Sequence, residues 1–264
     1  MKYIILGNGY IGNYLKDKLN AYMDPRRITS QKDADYIISD WSGPALLEET
    51  IFINCIGKTG RPNIDWCEDH KCETTYSNVI VPFYIAEACR RLGIYWIHIG
   101  SGCIYDGYKK IWTEEDDPNF YGSYYSITKA ISQDILKQYK EVCVLRIRMP
   151  IDKEMSERSY VYKLLKYIKE GKSLFDMENS MTYLPDLVNA IDMLAHKRIT
   201  GTFNAVNSGP MKASEILKLY DPDLKFKIED VKIIEKRLKA KRSNCILSSE
   251  KLNMPTLRTR LWRK

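Results

Sequence analysis

The sequence predicts an α/β chain: a parallel sheet covered by helices on both faces, with a smaller second lobe. Three observations carry this. Short apolar runs alternate with helical patterns through the first 150 residues, and a glycine-rich turn, Gly7-Asn8-Gly9-Tyr10-Ile11-Gly12, follows the first run. After Pro150 the alternation changes character. Parallel neighbours need crossover connections, usually helical, so this alternation implies a parallel sheet. At 264 residues and 44% apolar, the chain can bury a sizeable core.

The first strand is expected at 2–6, and others at 51–55, 95–99 and 142–147, each β-branched or aromatic and bounded by turn residues. Between them, 10–22, 75–92 and 123–140 read as helices. Pro82 belongs to the first turn of its helix or kinks it. In the third helix Ile127, Ile131 and Ile135 recur every four residues, which predicts a buried stripe. Beyond Pro150, a helix at 160–169 precedes Asn179-Ser180-Met181-Thr182, a helix at 184–195 and a short strand at 201–205. The expected organisation is a nucleotide-binding domain at 1–150 and a second lobe at 151–264, with about 184–206 returning to the first domain.

Composition removes several function classes. No stretch approaches the roughly 20 apolar residues of a membrane span, and the first apolar run stops at Gly7, short of a signal sequence. The expected location is cytoplasmic, without a membrane partner. Seven scattered cysteines fit reduced thiols. Cys67-x-x-His70-x-Cys72 offers three ligands and no second cluster, so no metal site is expected. The net charge of +7 owes much to residues beyond Lys225. No nucleic-acid motif accompanies it, so these cations read as a solvated face, a few of them serving a small phosphorylated ligand.

Gly7-x-Gly9-x-x-Gly12 follows a strand and opens a helix, the context of a Rossmann-type dinucleotide turn. Glycines let the backbone approach a pyrophosphate, and the helix N-terminus supplies amide donors. About 20 residues on, an acidic residue would bind ribose hydroxyls. Here Pro25-Arg26-Arg27-Ile28-Thr29-Ser30-Gln31-Lys32 is cationic and hydroxyl-bearing, so Ser30 and Lys32 suit the 2′-phosphate of NADPH/NADP. Asp40 and Trp41 are placed beside the adenine, and Ile56 and Gly57 at the ligand end of the next strand.

Tyr125 and Lys129 lie four apart in Tyr124-Tyr125-Ser126-Ile127-Thr128-Lys129-Ala130, on one helix face. A lysine ammonium beside a phenol lowers its pKa and yields a proton donor usable near neutral pH. Alone the spacing is weak; downstream of a dinucleotide turn it points to carbonyl reduction.

Longer motifs add a resemblance. Gly60-Arg61-Pro62-Asn63-Ile64-Asp65-Trp66-Cys67-Glu68, Gly102-Cys103-Ile104-Tyr105, Pro118-Asn119-Phe120 and Gly122-Ser123-Tyr124-Tyr125-Ser126 span the first domain. Leu145-Arg146-Ile147-Arg148-Met149-Pro150-Ile151, Asn179-Ser180-Met181-Thr182 and Arg242-Ser243-Asn244 continue the pattern. With these the chain resembles the extended short-chain dehydrogenase/reductases. It is most similar to the bifunctional 3,5-epimerase/4-ketoreductases that complete UDP-L-rhamnose synthesis, as in the C-terminal half of plant rhamnose synthases. Those relatives carry Gly-x-x-Gly-x-x-Gly, from which this chain's shorter turn departs.

The resemblance implies epimerisation of UDP-4-keto-6-deoxy-D-glucose at C3 and C5, then reduction at C4 by NADPH. Tyr125 would donate the proton, Lys129 would modulate it, and Ser101 would hydrogen-bond the ketone. Cys103 matches the epimerisation base and Lys163 its partner acid. Arg61, Asn63, Trp66, Tyr105, Asn179, Met181 and Arg242 are placed around the substrate, and Arg148 with the cofactor. The implied partners are a UDP-sugar and a separate nucleotide-sugar 4,6-dehydratase; a homodimer stays open. Two other readings stand at this point: a 4-ketoreductase alone, and an NADP-binding regulatory subunit without turnover.

Overall fold

The computed structural model describes residues 1–43, 49–154 and 156–261. Its strands begin with β1 (Lys2–Leu6), β2 (Tyr22–Asp24), β3 (Thr50–Asn54), β4 (Trp96–Ser101) and β5 (Gly107–Trp112). They continue with β6 (Val142–Ile147), β7 (Asn179–Met181), β8 (Gly201–Asn204), β9 (Asn207–Met211) and β10 (Cys245–Leu247). Six of them form one parallel sheet in the order β2-β1-β3-β4-β6-β8. The order reverses direction beside β1, so the first strand, the glycine turn and the ends of β3 and β4 meet at one crevice.

Alternation along the strands sorts the core. Tyr3, Ile5, Ile51 and Ile53 face a cluster built with α1 (Tyr10–Lys18) and later Leu184, Leu187 and Ile191. Ile4, Leu6 and Phe52 face the opposite cluster, with Ala34 and Ile37 of α2 (Gln31–Trp41). Two short helices, α3 (Asp65–Asp69) and α4 (Lys71–Thr75), lead through a π-helical turn, Tyr76–Ile80, into α5 (Val81–Leu92). Pro82 sits in the first turn of α5, directly after the π-helical turn. α6 (Tyr124–Leu136) covers the same face and precedes α7 (Tyr160–Lys169) and α8 (Leu184–His196).

Segments on both sides of α8 build the second lobe. β7 pairs with β9, while β10 pairs with β5. α7 and α9 (Ala213–Tyr220) pack together through Leu164, Leu174, Ala213 and Leu217, and α10 (Val231–Glu235) and α11 (Leu257–Leu261) complete the chain. No helix of the described residues is long and apolar enough to cross a membrane.

Two expectations are corrected, and one helix, α2, had no expectation. The helix expected at 10–22 ends at Lys18, because Asn20 adopts φ 48° and turns the chain into β2. The stretch after β2 includes α2, which Ser30 caps by accepting from the Asp33 amide. The Ile127, Ile131, Ile135 stripe points outward, with Ile131 45% exposed. The inward face belongs to Tyr125, Thr128, Lys129, Gln133 and Leu136, about 200° around the helix from Ile127 at Tyr125.

Candidate active site

The cofactor groove starts from glycine. A side chain at Gly12 would place its Cβ 2.0 Å from the Gly7 carbonyl oxygen, and one at Gly7, where φ is 106°, would meet the Ile56 amide at 2.8 Å. α1 therefore packs directly on the turn. Gly9 caps α1 without a side-chain bond, which leaves first-turn amides for an anion. Asn8, Gly9, Tyr10, Asn13, Gly57 and Lys58 line an opening of about 740 Å³. Ile11 packs into the core instead. Exposed backbone donors beside a helix terminus fit a dinucleotide pyrophosphate.

At the end of β2 stands a carboxylate that sequence reading missed. Asp24 is buried and accepts from the Arg26 guanidinium at 2.6 Å and from the Trp41 indole at 2.5 Å. Its carboxyl is held below the ordinary value, because hydrogen bonds from Arg26 and Trp41 outweigh burial, the largest single influence. Asp40 accepts from Arg26 at 2.8 Å. Asp40 and Trp41 thus fix Arg26 and Asp24, while Ser30 caps α2 and Lys32 is exposed. None of these four lines the described groove.

The chemical centre forms where β4 meets α6. Ser123 caps α6 by accepting from the Ser126 amide at 3.1 Å, which orients Tyr125 and Lys129 inward, each 7% exposed. Ser101 ends β4, and the Cys103 amide donates to its hydroxyl at 3.1 Å. Burial, followed by the nearby Cys103, raises the Tyr125 phenol well above its usual value, while a hydrogen bond with Ser101 opposes this. The expected lowering of Tyr125 by Lys129 is therefore overridden: the phenol holds its proton, the form a donor requires. Lys129 itself is pushed down to about 8, chiefly by burial. Its ammonium donates to the Ile99 carbonyl at 3.4 Å.

Cys103 and Tyr125 open into a cleft of about 1260 Å³ that Lys163 enters from α7. Burial, then the charge of Arg158, pushes Lys163 down to about 8. Arg61, Asn63 and Arg242 line this cleft. Arg242 pairs with Asp65 at 2.9 Å, and the Asn63 carboxamide accepts from the Asp65 amide at 2.8 Å. Trp66 stacks on His70 with ring centres 3.8 Å apart and borders the cofactor groove.

Four of the assigned residues lie beneath the two openings rather than at their surface. Arg148 is 1% exposed and donates to Gly102, Ser243 and Asn179, so it ties three segments together inside the protein. Asn179 is consumed by Arg148, the Cys245 amide and Asn244. Met181 is fully buried among Ile151, Val161 and Tyr183. Tyr105 is also fully buried, stacks on Trp112 and donates to the Asp116 carbonyl at 2.7 Å. These residues support the walls; they do not line either opening.

Two contributors had no legible signal. Asn78, within the π-helical turn, accepts from the Lys58 amide at 2.7 Å and donates to Thr128 at 3.0 Å, joining the loop after β3 to α6. Arg158 stands in an unpatterned polar loop yet reaches both openings. His98 is a structural histidine: buried, paired with Asn54 at 3.0 Å and held neutral by burial. Among the described residues no group of His, Cys, Asp and Glu could hold a metal ion.

Fold and site define a Rossmann-type α/β protein with a tyrosine–lysine pair beside a dinucleotide turn. Comparison with known proteins places it further: the chain belongs to the RmlD substrate binding domain family, matched over residues 8–264. It is 39% identical over 215 residues to the bifunctional dTDP-4-dehydrorhamnose 3,5-epimerase/dTDP-4-dehydrorhamnose reductase of Arabidopsis thaliana, covering 75% of this chain and 69% of that one. A trifunctional UDP-glucose 4,6-dehydratase/UDP-4-keto-6-deoxy-D-glucose 3,5-epimerase/UDP-4-keto-L-rhamnose-reductase of the same plant is 36% identical over 222 residues. That match covers 78% of this chain but 32% of the longer relative. Among solved structures, the UDP-rhamnose synthase of Acanthamoeba polyphaga mimivirus superposes with a TM-score of 0.87 at 29% identity, covering 99% of this chain and 97% of that one.

Proposed function

We propose that this protein is a bifunctional 3,5-epimerase/4-ketoreductase that converts UDP-4-keto-6-deoxy-D-glucose to UDP-L-rhamnose with NADPH. The observation that carries the reading is the convergence of Cys103, Tyr125 and Lys163 on one cleft, with Ser101 behind Tyr125. A reductase alone needs no carbon-acid base, and a binding subunit needs neither base nor desolvated lysine.

C3 and C5 both lie α to the C4 ketone, so removing either proton moves an electron pair onto the same oxygen. Cys103, as thiolate, takes the proton. Tyr125 and Ser101 stabilise the oxyanion, a role in which preorganised donors are worth several kcal/mol. Lys163 returns a proton to carbon from the other side of the cleft, inverting the centre. In the reduction, Tyr125 gives its phenolic proton to the C4 oxygen while Lys129 supplies positive charge behind it. NADPH bound in the groove supplies the hydride.

A preference for NADPH over NADH rests on the end of β2. Asp24 and Arg26 are spent on each other and on Trp41 and Asp40, which leaves the exposed Arg27 as the cation that would meet a 2′-phosphate. Arg242, beside the cleft, would meet the diphosphate, for which a guanidinium is geometrically suited. A separate 4,6-dehydratase would supply the 4-keto sugar.

The test is product identification after incubation with UDP-4-keto-6-deoxy-D-glucose and NADPH. UDP-L-rhamnose is expected; a reduced sugar that retains the D-configuration would leave only a ketoreductase.

A further inference from the structure

The described residues between β6 and α7 bond back to the first domain on both sides of residue 155 and act as a strap. Tyr10 donates to Asp152, and Lys18 pairs with Glu154 at 2.6 Å, which ties the strap to α1. Arg158, near its end, donates to the Thr59 hydroxyl at 2.8 Å and lies 3.5 Å from the Gly60 carbonyl, both in the loop after β3. The next residue, Ser159, caps α7, and the Lys163 amide donates to the Ser159 carbonyl at 3.3 Å. Arg158 and Lys163 are thus carried on the same helix start, with the guanidinium anchored externally.

Three of the four carboxylates that line the cleft are engaged in ion pairs. Asp65 pairs with Arg242 at 2.9 Å, Glu229 with Arg237 at 2.9 Å, and Glu170 with Lys172 at 2.6 Å. Glu157 is exposed on the lip. Cys103 and Tyr125 border the cleft from the first domain, and Tyr160, Tyr162, Lys166 and Tyr167 from α7 itself. Arg61 adds positive charge beside Arg158.

We propose that Arg158 is a positioning residue for the epimerase half of the reaction: anchored on Thr59 and Gly60, it holds a fixed positive charge against the Lys163 ammonium and drives its proton toward the sugar carbon. This rests on the epimerase reading given above. Electrons and protons balance within the site. Cys103 gains the proton that carbon loses, the enolate pair returns to carbon to bond the proton from Lys163, and solvent restores the thiolate and ammonium. The burial and Arg158 charge that bring Lys163 to about 8 match it to proton transfer near neutral pH. The Thr59–Arg158 bond also connects the groove's border to the epimerase acid, so the two halves of the site share one strut.

The experiment compares the parent protein with Arg158→Lys and Arg158→Gln. Deuterium entry at C3 and C5 of UDP-4-keto-6-deoxy-D-glucose is followed by NMR in deuterated water with NADP⁺, across the neutral and alkaline range. In Arg158→Gln the alkaline limb of exchange should move to higher pH, and exchange at neutral pH should fall roughly threefold. Arg158→Lys, which keeps the charge, should restore the parent limb. Reduction of an already epimerised 4-keto sugar can lose rate in both variants, because Arg158 borders the cofactor groove, but its alkaline limb should stay in place. An alkaline limb that stays in place in Arg158→Gln overturns the role given to Arg158 while leaving the epimerase reading intact. A parent protein that oxidises NADPH but exchanges no deuterium overturns both.

Discussion

The Cys103 amide donates to the Ser101 hydroxyl at 3.1 Å, so the proposed base and the proposed ketone donor belong to one turn at the end of β4. Tyr125 faces that same turn from α6. One oxyanion position would therefore serve both proton abstraction and reduction in the proposed two-step reaction.

Tyr125→Phe removes the phenolic proton and keeps the ring. NADPH oxidation with the 4-keto sugar should fall by about a thousandfold, while cofactor binding, measured by fluorescence quenching, changes little. A variant with parent turnover would exclude Tyr125 as the donor.

Cys103→Ser should separate the activities. Deuterium exchange at C3 and C5 should disappear, since a serine hydroxyl is a far weaker base than a thiolate, while an already epimerised 4-keto sugar is still reduced. Persistent exchange would require another base.

Lys129 makes stability depend on pH with a definite sign. Its ordinary value of 10.5 falls to about 8 in the folded protein. Between those values the unfolded chain binds more protons, so this group makes stability rise with pH through that window. Below about 8, burial of the charged ammonium costs up to about 3 kcal/mol. Cys55, pushed up to about 12 by burial, acts oppositely above its ordinary value of 9.0. Lys129→Met isolates the lysine: its denaturation midpoint should exceed the parent's at neutral pH, and the gap should narrow as pH rises from 8 to 10.5. A gap independent of pH would contradict the assigned ionisation.

Gly12→Ala places a methyl against the Gly7 carbonyl, where the Cβ separation would be 2.0 Å. Relieving that clash should cost about 3 kcal/mol and weaken cofactor binding. Calorimetry with and without NADPH checks both; an unchanged transition would mean that the turn tolerates separation from α1.

Much of the architecture was legible because it is written in local patterns. The five anticipated strands of the main sheet appear within a residue or two, and the glycine turn opens α1 as its spacing implies. β2 was missed: three residues are too short for a period-two signal, and Tyr22 read as helical continuation. The isoleucine stripe of α6 misled because periodicity marks a face without saying what that face meets. Tyr125, Lys129 and Gln133 claim the inward side through polar bonds that hydrophobic patterning does not register. Arg148, Asn179 and Tyr105 belong to motifs, yet a motif cannot tell a ligand contact from a strut beneath the site. Arg158 carries no spacing signal, since its importance comes from a hydrogen bond to Thr59, 99 residues away in the chain.

The most direct measurement is proton NMR of the product formed from UDP-4-keto-6-deoxy-D-glucose and NADPH in deuterated water. Deuterium at both C3 and C5 of UDP-L-rhamnose is the predicted result and places both activities in one polypeptide. A reduced 6-deoxyhexose without deuterium at either carbon would contradict the bifunctional account.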